Sequence, residues 1–299
     1  MPALRFAAVS VLVAAAILTP GFLTAPSLLA LLNTMSFVGC VAIGMTFITL
    51  SGNIMSFCLG ATLSATTIVF MSSLPLGLMS AITLSFLFSA VLTGAQGFLI
   101  GYFRANPIII SMAATSLLYG CVTFLTGGLG VYPVGTEADV LKGRIGPLPW
   151  PVAAFLVSLI VAQLVLSYTR LGLHIVMVGS NRRAAEAAGI EPWRPIAWAY
   201  AFAGLSTAFA AVLMAARYGS GDMEHGIGYD YHAISAVLVG GSAIGGGQGS
   251  AVRTAFGALV IAALQGLLLL WGFSTQSQYL AIGVIILGVI MLQSAGHRA

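Results

Sequence analysis

The side chains that could bind a metal or act as nucleophiles are few and scattered in this sequence. The cysteines and histidines are Cys40, Cys58, Cys121, His174, His225, His232 and His297. They form no C-x-x-C pair, no H-E-x-x-H motif and no other metal-ligand spacing. Neither a G-x-S-x-G nucleophile turn nor a phosphate-binding G-x-x-x-x-G-K-[ST] loop occurs. The sequence therefore predicts no catalytic residue, no metal site and no bound cofactor.

The most informative polar segment is residues 169–194. Asn181 is a good N-cap, the residues after it favour helix, and Gly189 is the residue type expected just past a helix C-terminus. This pattern predicts a helix of about two turns. Ala184, Ala185 and Ala188 are predicted to share one face, which would let a partner approach its backbone closely.

So short a helix is marginal in water and must be held by something else. A helix resting on lipid headgroups is one possibility, but such helices normally carry large apolar side chains. A helix that docks into a groove of another protein would better explain why this face carries alanines.

The composition indicates what surrounds this segment. Hydrophobic residues make up 59% of the 299 residues, charged residues make up 6%, and the mean hydropathy is +1.05. Soluble proteins carry about 25% charged residues, so this chain is predicted to lie in membrane lipid as one integral domain, 1–299. The modest net charge of +4 makes nucleic acid an improbable partner.

Long apolar runs predict an all-α polytopic membrane protein with about ten transmembrane helices. The runs are 6–23, 28–50, 54–74, 76–103, 107–125, 150–168, 195–216, 231–244, 254–271 and 277–292. The first could instead be a cleaved signal peptide, because Arg5 precedes it and small residues follow it.

Basic residues predict the orientation of these helices. With both termini in the cytoplasm, the inner side holds Arg5, Arg104, Arg170, Arg182, Arg183, Arg194, Arg253 and Arg298, and the outer side holds Lys142, Arg144 and Arg217. This excess on the inner side follows the positive-inside rule.

Two interruptions are predicted at membrane depth. The run 231–244 is short and leads into the glycines of 240–247, and residues 51–54 separate two runs in the first half. Irregular backbone in a membrane must line protein or a water-filled cavity, so both breaks point toward a transport pathway. One break in each half is also consistent with an inverted repeat.

Four segments resemble the permeases of ABC importers, in particular those for ribose-type monosaccharides and, more distantly, for branched-chain amino acids and nucleosides. Three of them are residues 44–47, 106–128 and 228–250. The fourth resembles the family's ATPase-coupling segment, residues 169–194, and its matching positions are Thr169, Arg170, Gly172, Gly179, Asn181, Ala184, Ala185, Ala188, Gly189 and Ile190.

The resemblance implies a bacterial inner-membrane subunit without enzymatic activity, working by alternating access. Its implied partners are a cytoplasmic ATPase that uses ATP and Mg²⁺, a periplasmic sugar-binding protein, and a second permease copy, identical or not. One departure bears on the substrate. Sugar permeases of this kind usually carry an Ile-Asp-Leu-Ser element after an early glycine pair, whereas residues 52–60 read Gly-Asn-Ile-Met-Ser-Phe-Cys-Leu-Gly, with no Asp. A sugar other than ribose, or another polar solute, therefore stays open.

A sugar pathway should be weakly polar, which suits Asn53, Ser56, Ser111 and Thr115. Such residues also serve simply to hold helices together.

An ion-coupled secondary transporter is the main alternative. It would usually need an ionisable residue within the membrane, and the sequence places Asp230 only at the edge of a run. Sodium sites lined by carbonyl groups would escape this test.

Overall fold

A computed structural model of the protein describes residues 19–53, 55–133, 137–145 and 148–296. Within these residues the α-helices are α1 (Ala25–Leu50), α2 (Leu59–Ser73), α3 (Leu78–Phe103), α4 (Pro107–Thr126), α5 (Trp150–Tyr168), α6 (Arg170–Ser180), α7 (Arg182–Ala187), α8 (Trp193–Tyr218), α9 (Tyr229–Val239), α10 (Ala251–Leu270) and α11 (Thr275–Gly296). Two short 3₁₀ helices, Leu74–Leu76 and Glu137–Lys142, and an antiparallel pair of two-residue strands, β1 (Arg144–Ile145) and β2 (Leu148–Pro149), complete the described elements.

Seven of the described helices are long and apolar enough to cross a membrane: α1, α2 with its 3₁₀ extension, α3, α4, α5, α8 and α10. They coincide with seven of the predicted runs, so the prediction of an all-α polytopic membrane protein is confirmed. Residues 6–18 of the first run lie outside the described residues, as do Arg5, His297 and Arg298. The signal-peptide alternative and the total of ten crossings therefore stay predictions.

Two predicted runs differ from the helices that form. The run 54–74 was wrong at its start, because α2 begins only at Leu59 and residues 55–58 are not helical. The run 231–244 forms α9, which has 11 residues. At 1.5 Å per residue this helix is about 16 Å long, roughly half the hydrocarbon thickness. We call residues 51–58 the first break and residues 240–250 the second break.

Helix α8 lies at the centre of the bundle, packed mainly against α3 and α1. Small residues let the backbones approach, as is common between membrane helices. A Cβ added to Gly44 of α1 would lie 2.8 Å from the carbonyl oxygen of Ala203 in α8. On the other side, the Ser89 hydroxyl of α3 donates to the Gly204 carbonyl of α8 at 2.8 Å. Substituting a larger residue for either glycine would push these central helices apart.

The connections between helices gather at two ends of the bundle. The basic end is formed by residues 50–53, 101–107, 168–194 and 240–253, and its charged residues are Arg104, Arg170, Arg182, Arg183, Arg194, Arg253, Glu186 and Glu191. The acidic end is formed by 19–24, 74–77, 127–133, 137–145, 148–149, 217–228 and 271–274, and its charged residues are Glu137, Asp139, Asp222, Glu224, Lys142, Arg144 and Arg217. Exposed aromatic residues flank the apolar band, with Tyr102 and Tyr168 near the basic end and Tyr218 and Trp271 near the acidic end. Such belts are typical of membrane–water interfaces.

Candidate coupling segment and transport pathway

The segment 169–194 folds as two helices. Thr169 is the N-cap of α6, with its hydroxyl oxygen accepting from the Gly172 amide at 3.1 Å. Ile175 and Val178 are buried in the core, whereas Leu173 is exposed. The sequence analysis predicted α7 but missed α6. The apolar residues three apart on its inward face were the available signal.

Helix α7 confirms the predicted caps. The Asn181 carboxamide oxygen accepts from the Ala184 amide at 3.0 Å, as expected of an N-cap. At the other end the Ile190 amide donates to the Ala185 carbonyl and the Gly189 amide donates to the Glu186 carbonyl, both at 3.0 Å. With Gly189 at φ 81°, this is a Schellman motif, which favours glycine at that position.

The predicted alanine face is only partly available to a partner. Ala185 is 1% exposed and belongs to the core of the bundle, so it is not part of the surface that Ala184 and Ala188 offer. The Schellman turn folds Ile190 back toward Ala185, and both pack into the bundle. Ala184 and Ala188 remain exposed. Arg170 and Gly189 are exposed as well, so the outward surface of the segment combines small and basic residues.

A charged cluster joins α7 to the end of α3. The Glu186 carboxylate accepts from Arg104 at 3.1 Å and from Arg182 at 3.3 Å. Arg182 also donates to the Gly101 carbonyl at 3.1 Å. Exposed ion pairs stabilise proteins little, so the cluster defines the position of α7 more than it stabilises the fold.

Three of the predicted pathway residues meet at the first break. The Thr115 hydroxyl of α4 donates to the Phe57 carbonyl at 2.8 Å. Within the break, the Asn53 amide group donates to the Ser51 hydroxyl at 2.8 Å, and the Cys58 amide donates to the Ser56 hydroxyl at 3.3 Å. These side chains therefore satisfy backbone and polar groups that have left the helix, as irregular backbone in a membrane requires.

The fourth predicted residue, Ser111, lies one helical turn before Thr115 on α4. Its hydroxyl donates to the Ile108 carbonyl of the same helix at 3.0 Å, and its side chain is fully buried. That bond is the ordinary role of serine in a membrane helix.

Asp230 lies in the first turn of α9, at the edge of the predicted run 231–244. Its carboxylate accepts from the backbone amides of Leu59 and Gly60, at 2.8 Å for Gly60. These amides begin α2, so the acid caps the N-terminus of a helix that starts inside the bundle. The short α9 brings Asp230 inward, because the connection 219–228 runs along α2, where the Ser64 hydroxyl donates to the Met223 carbonyl.

The sequence analysis also missed Gln96 and Tyr200. The Gln96 amide nitrogen lies 3.3 Å from the Cys58 sulfur at the end of the first break. The Gln96 carbonyl oxygen and the Tyr200 hydroxyl are buried and have no hydrogen-bond partner among the described residues. A glutamine within the apolar run of α3 was the available signal, since polar residues within membrane helices are usually functional.

A polar pocket of about 400 Å³ opens beside the first break at the basic end. Asn53 and Gly52 line it from the break, Arg104 and Asn106 from the α3–α4 connection, and Arg182 from α7. The pocket therefore adjoins both the predicted pathway and the coupling segment.

The Asp230 cap leads to a prediction about stability. In Asp230→Ala the amides of Leu59 and Gly60 lose their acceptor inside the bundle, and we expect a loss of about 1–3 kcal/mol in the free energy of unfolding. Asp230→Asn keeps one acceptor oxygen and should lose less. Thermal unfolding of the detergent-purified protein measures the difference. Equal unfolding temperatures for wild type and Asp230→Ala would show that the cap does not stabilise the fold.

Comparison with known proteins places these features in context. The sequence profile of the family described as branched-chain amino acid transport system / permease component matches residues 27–293. The ribose import permease protein of Bacillus subtilis (strain 168) is 30% identical over 281 residues, covering 92% of this chain and 87% of that protein. The autoinducer 2 import system permease proteins of Escherichia coli (strain K12) and Shigella flexneri are each 32% identical over 282 residues, covering 90% of this chain and 84% of those proteins.

Proposed function

The chain belongs to the family of ABC-importer permease components, and from this premise we propose that it carries a monosaccharide across the bacterial inner membrane. The observation that supports a sugar is the nearly full-length similarity to permeases named for the import of ribose and of autoinducer 2. A branched-chain amino acid is the second candidate, because the matching family profile is described by that substrate.

The energy for transport is proposed to come from a separate ATPase that binds at the basic end. The exposed part of α6 and α7 supports this, because Leu173, Ala184 and Ala188 present small and apolar side chains beside arginines outside the apolar band. A periplasmic binding protein would then deliver the solute at the acidic end. A second permease copy is proposed to complete the membrane unit.

The basic end is proposed to face the cytoplasm. It carries six arginines against two acids, whereas the acidic end carries three basic residues against four acids in the segments that define the two ends. Lys and Arg are retained on the cytoplasmic side of bacterial membranes. This orientation puts the coupling segment on the side where ATP is available.

The solute is proposed to pass beside the first break. Asn53 and Ser56 lie in the break and Thr115 contacts it from α4. Gln96 and Tyr200 add a carbonyl oxygen and a hydroxyl group that have no hydrogen-bond partner in the described residues. Hydroxyl and amide groups of this kind bind a sugar weakly and can release it. Ser111 lies beside these residues on α4. Because its hydroxyl bonds within the same helix, we assign it to helix packing along the pathway.

The substrate class is tested by uptake in cells that express the permease with its ATPase and binding protein. We expect uptake of radiolabelled ribose or a related monosaccharide, blocked by excess unlabelled sugar and unaffected by excess leucine. Asn53→Ala should reduce this uptake several-fold, whereas Ser116→Ala, at an exposed position on α4, should not. Leucine uptake that sugars fail to inhibit would favour the second candidate and contradict the proposal.

A further inference from the structure

The end of α6 touches both helix breaks through glycine backbone. A Cβ added to Gly179 would lie 2.8 Å from the amide nitrogen of Gly52 in the first break. It would also lie 2.9 Å from the amide nitrogen of Gly247 in the second break. The nearest atom of all is the carbonyl oxygen of Leu50, the last residue of α1. Real Cβ atoms do not approach other atoms so closely, so any residue larger than glycine at position 179 would displace the end of α1 or one or both breaks.

The two breaks also contact each other at this point. The Gly247 amide donates to the carbonyl of Leu50, the last residue of α1, at 3.2 Å. A Cβ on Gly246 would lie 2.5 Å from the Cα of Gly52. Gly246 and Gly247 have φ angles of 87° and 70°, in the left-handed region that favours glycine. We call Gly52, Gly179, Gly246 and Gly247 the glycine junction.

The junction lies next to the coupling helix. Only Ser180 and Asn181 separate Gly179 from the first residue of α7, and Asn181 is the N-cap of that helix. Beyond the junction, the first break leads into α2 and the second break leads back into α9. Asp230 joins these two helices by capping α2 from α9. A continuous series of backbone contacts therefore leads from α7 to both α2 and α9.

We propose that the glycine junction transmits the movement of α7 to both breaks, with Gly179 as its positioning residue. The inference rests on the proposed function, because the movement of α7 is attributed to the ATPase. Coupling then requires direct backbone contact within this chain, however tightly the ATPase binds. Backbone contact transmits small displacements better than long side chains do, because it has no rotamers to absorb them.

The test is Gly179→Ala in the complex of permease, ATPase and binding protein reconstituted into liposomes. Gly179 lies within α6 and its φ is not positive, so the substitution adds only a methyl group at the junction. We expect the ATPase to remain bound, and solute-stimulated ATP hydrolysis and uptake to fall by about tenfold or more, within the ~5–150-fold range of typical coupling between sites. The matched control is Gly245→Ala, in the second break, where an added Cβ meets no atom within 4 Å.

Wild-type uptake by Gly179→Ala would overturn the inference, and so would loss of ATPase binding, because the glycine would then act in docking. A second measurement does not depend on the variant folding. In the wild-type complex, nucleotide should change amide hydrogen exchange in the peptides that contain Gly52 and Gly247. Unchanged exchange in both peptides would contradict the inference even if sugar uptake is normal, whereas absent uptake by the wild-type complex would contradict the proposed function instead.

Discussion

Replacing Ala188 with arginine is expected to abolish uptake and ATPase binding without reducing the amount of folded permease in the membrane. Ala188 is exposed at the end of α7 and, with Ala184, forms the small-residue surface that remains outside the bundle. An arginine there would place a bulky, charged side chain between α7 and the ATPase groove that is proposed to receive it. Loss of a central interface contact costs about 2 kcal/mol or more, which is a roughly 30-fold loss of affinity.

Ala188→Ser provides the matched control, because it adds only a hydroxyl group and should keep both binding and uptake. Ala185→Arg tests a different property, since Ala185 is buried in the core and a charge there should lower the amount of folded protein. Co-purification of the ATPase, and its binding to inside-out but not right-side-out vesicles, are the measurements. Normal ATPase binding by Ala188→Arg would refute docking at α7, and binding only to right-side-out vesicles would refute the proposed orientation.

The long helices and α7 could be predicted from the sequence because their signals are local. An uncharged run of about 20 residues predicts a membrane helix, and Asn181 and Gly189 mark the ends of α7 by backbone chemistry that needs no distant partner. Prediction from neighbouring residues failed where contacts between residues far apart in the sequence decide the structure. Helix α2 starts at Leu59 because Asp230, far along the chain, supplies its cap.

The inward position of Ala185 could not be predicted for a similar reason. On a helical wheel Ala184, Ala185 and Ala188 are neighbours, and only the packing of Ile190 and the core decides which of them is covered. The glycine junction was also hidden, because Gly52, Gly179 and Gly247 are widely separated in sequence. The neighbouring residues in the sequence do not distinguish a glycine that permits such a close contact from any other glycine.

The permease on its own is expected to accumulate no solute under a proton or sodium gradient. In the part of the chain that the structure describes, Asp230 is the acid that packs between helices, and its carboxylate is engaged by the amides of Leu59 and Gly60. A helix-capping carboxylate of this kind is held in place by the structure, whereas a coupling acid must bind and release its ion during transport. This engagement of Asp230 favours an external source of energy.

Reconstitution of the purified permease into liposomes, with and without its ATPase and binding protein, measures this directly. The account predicts that labelled sugar accumulates only when both partners and ATP are present, and that a proton or sodium gradient imposed in the absence of nucleotide produces no accumulation. Concentration of the sugar by the permease alone, driven by an ion gradient, would contradict it.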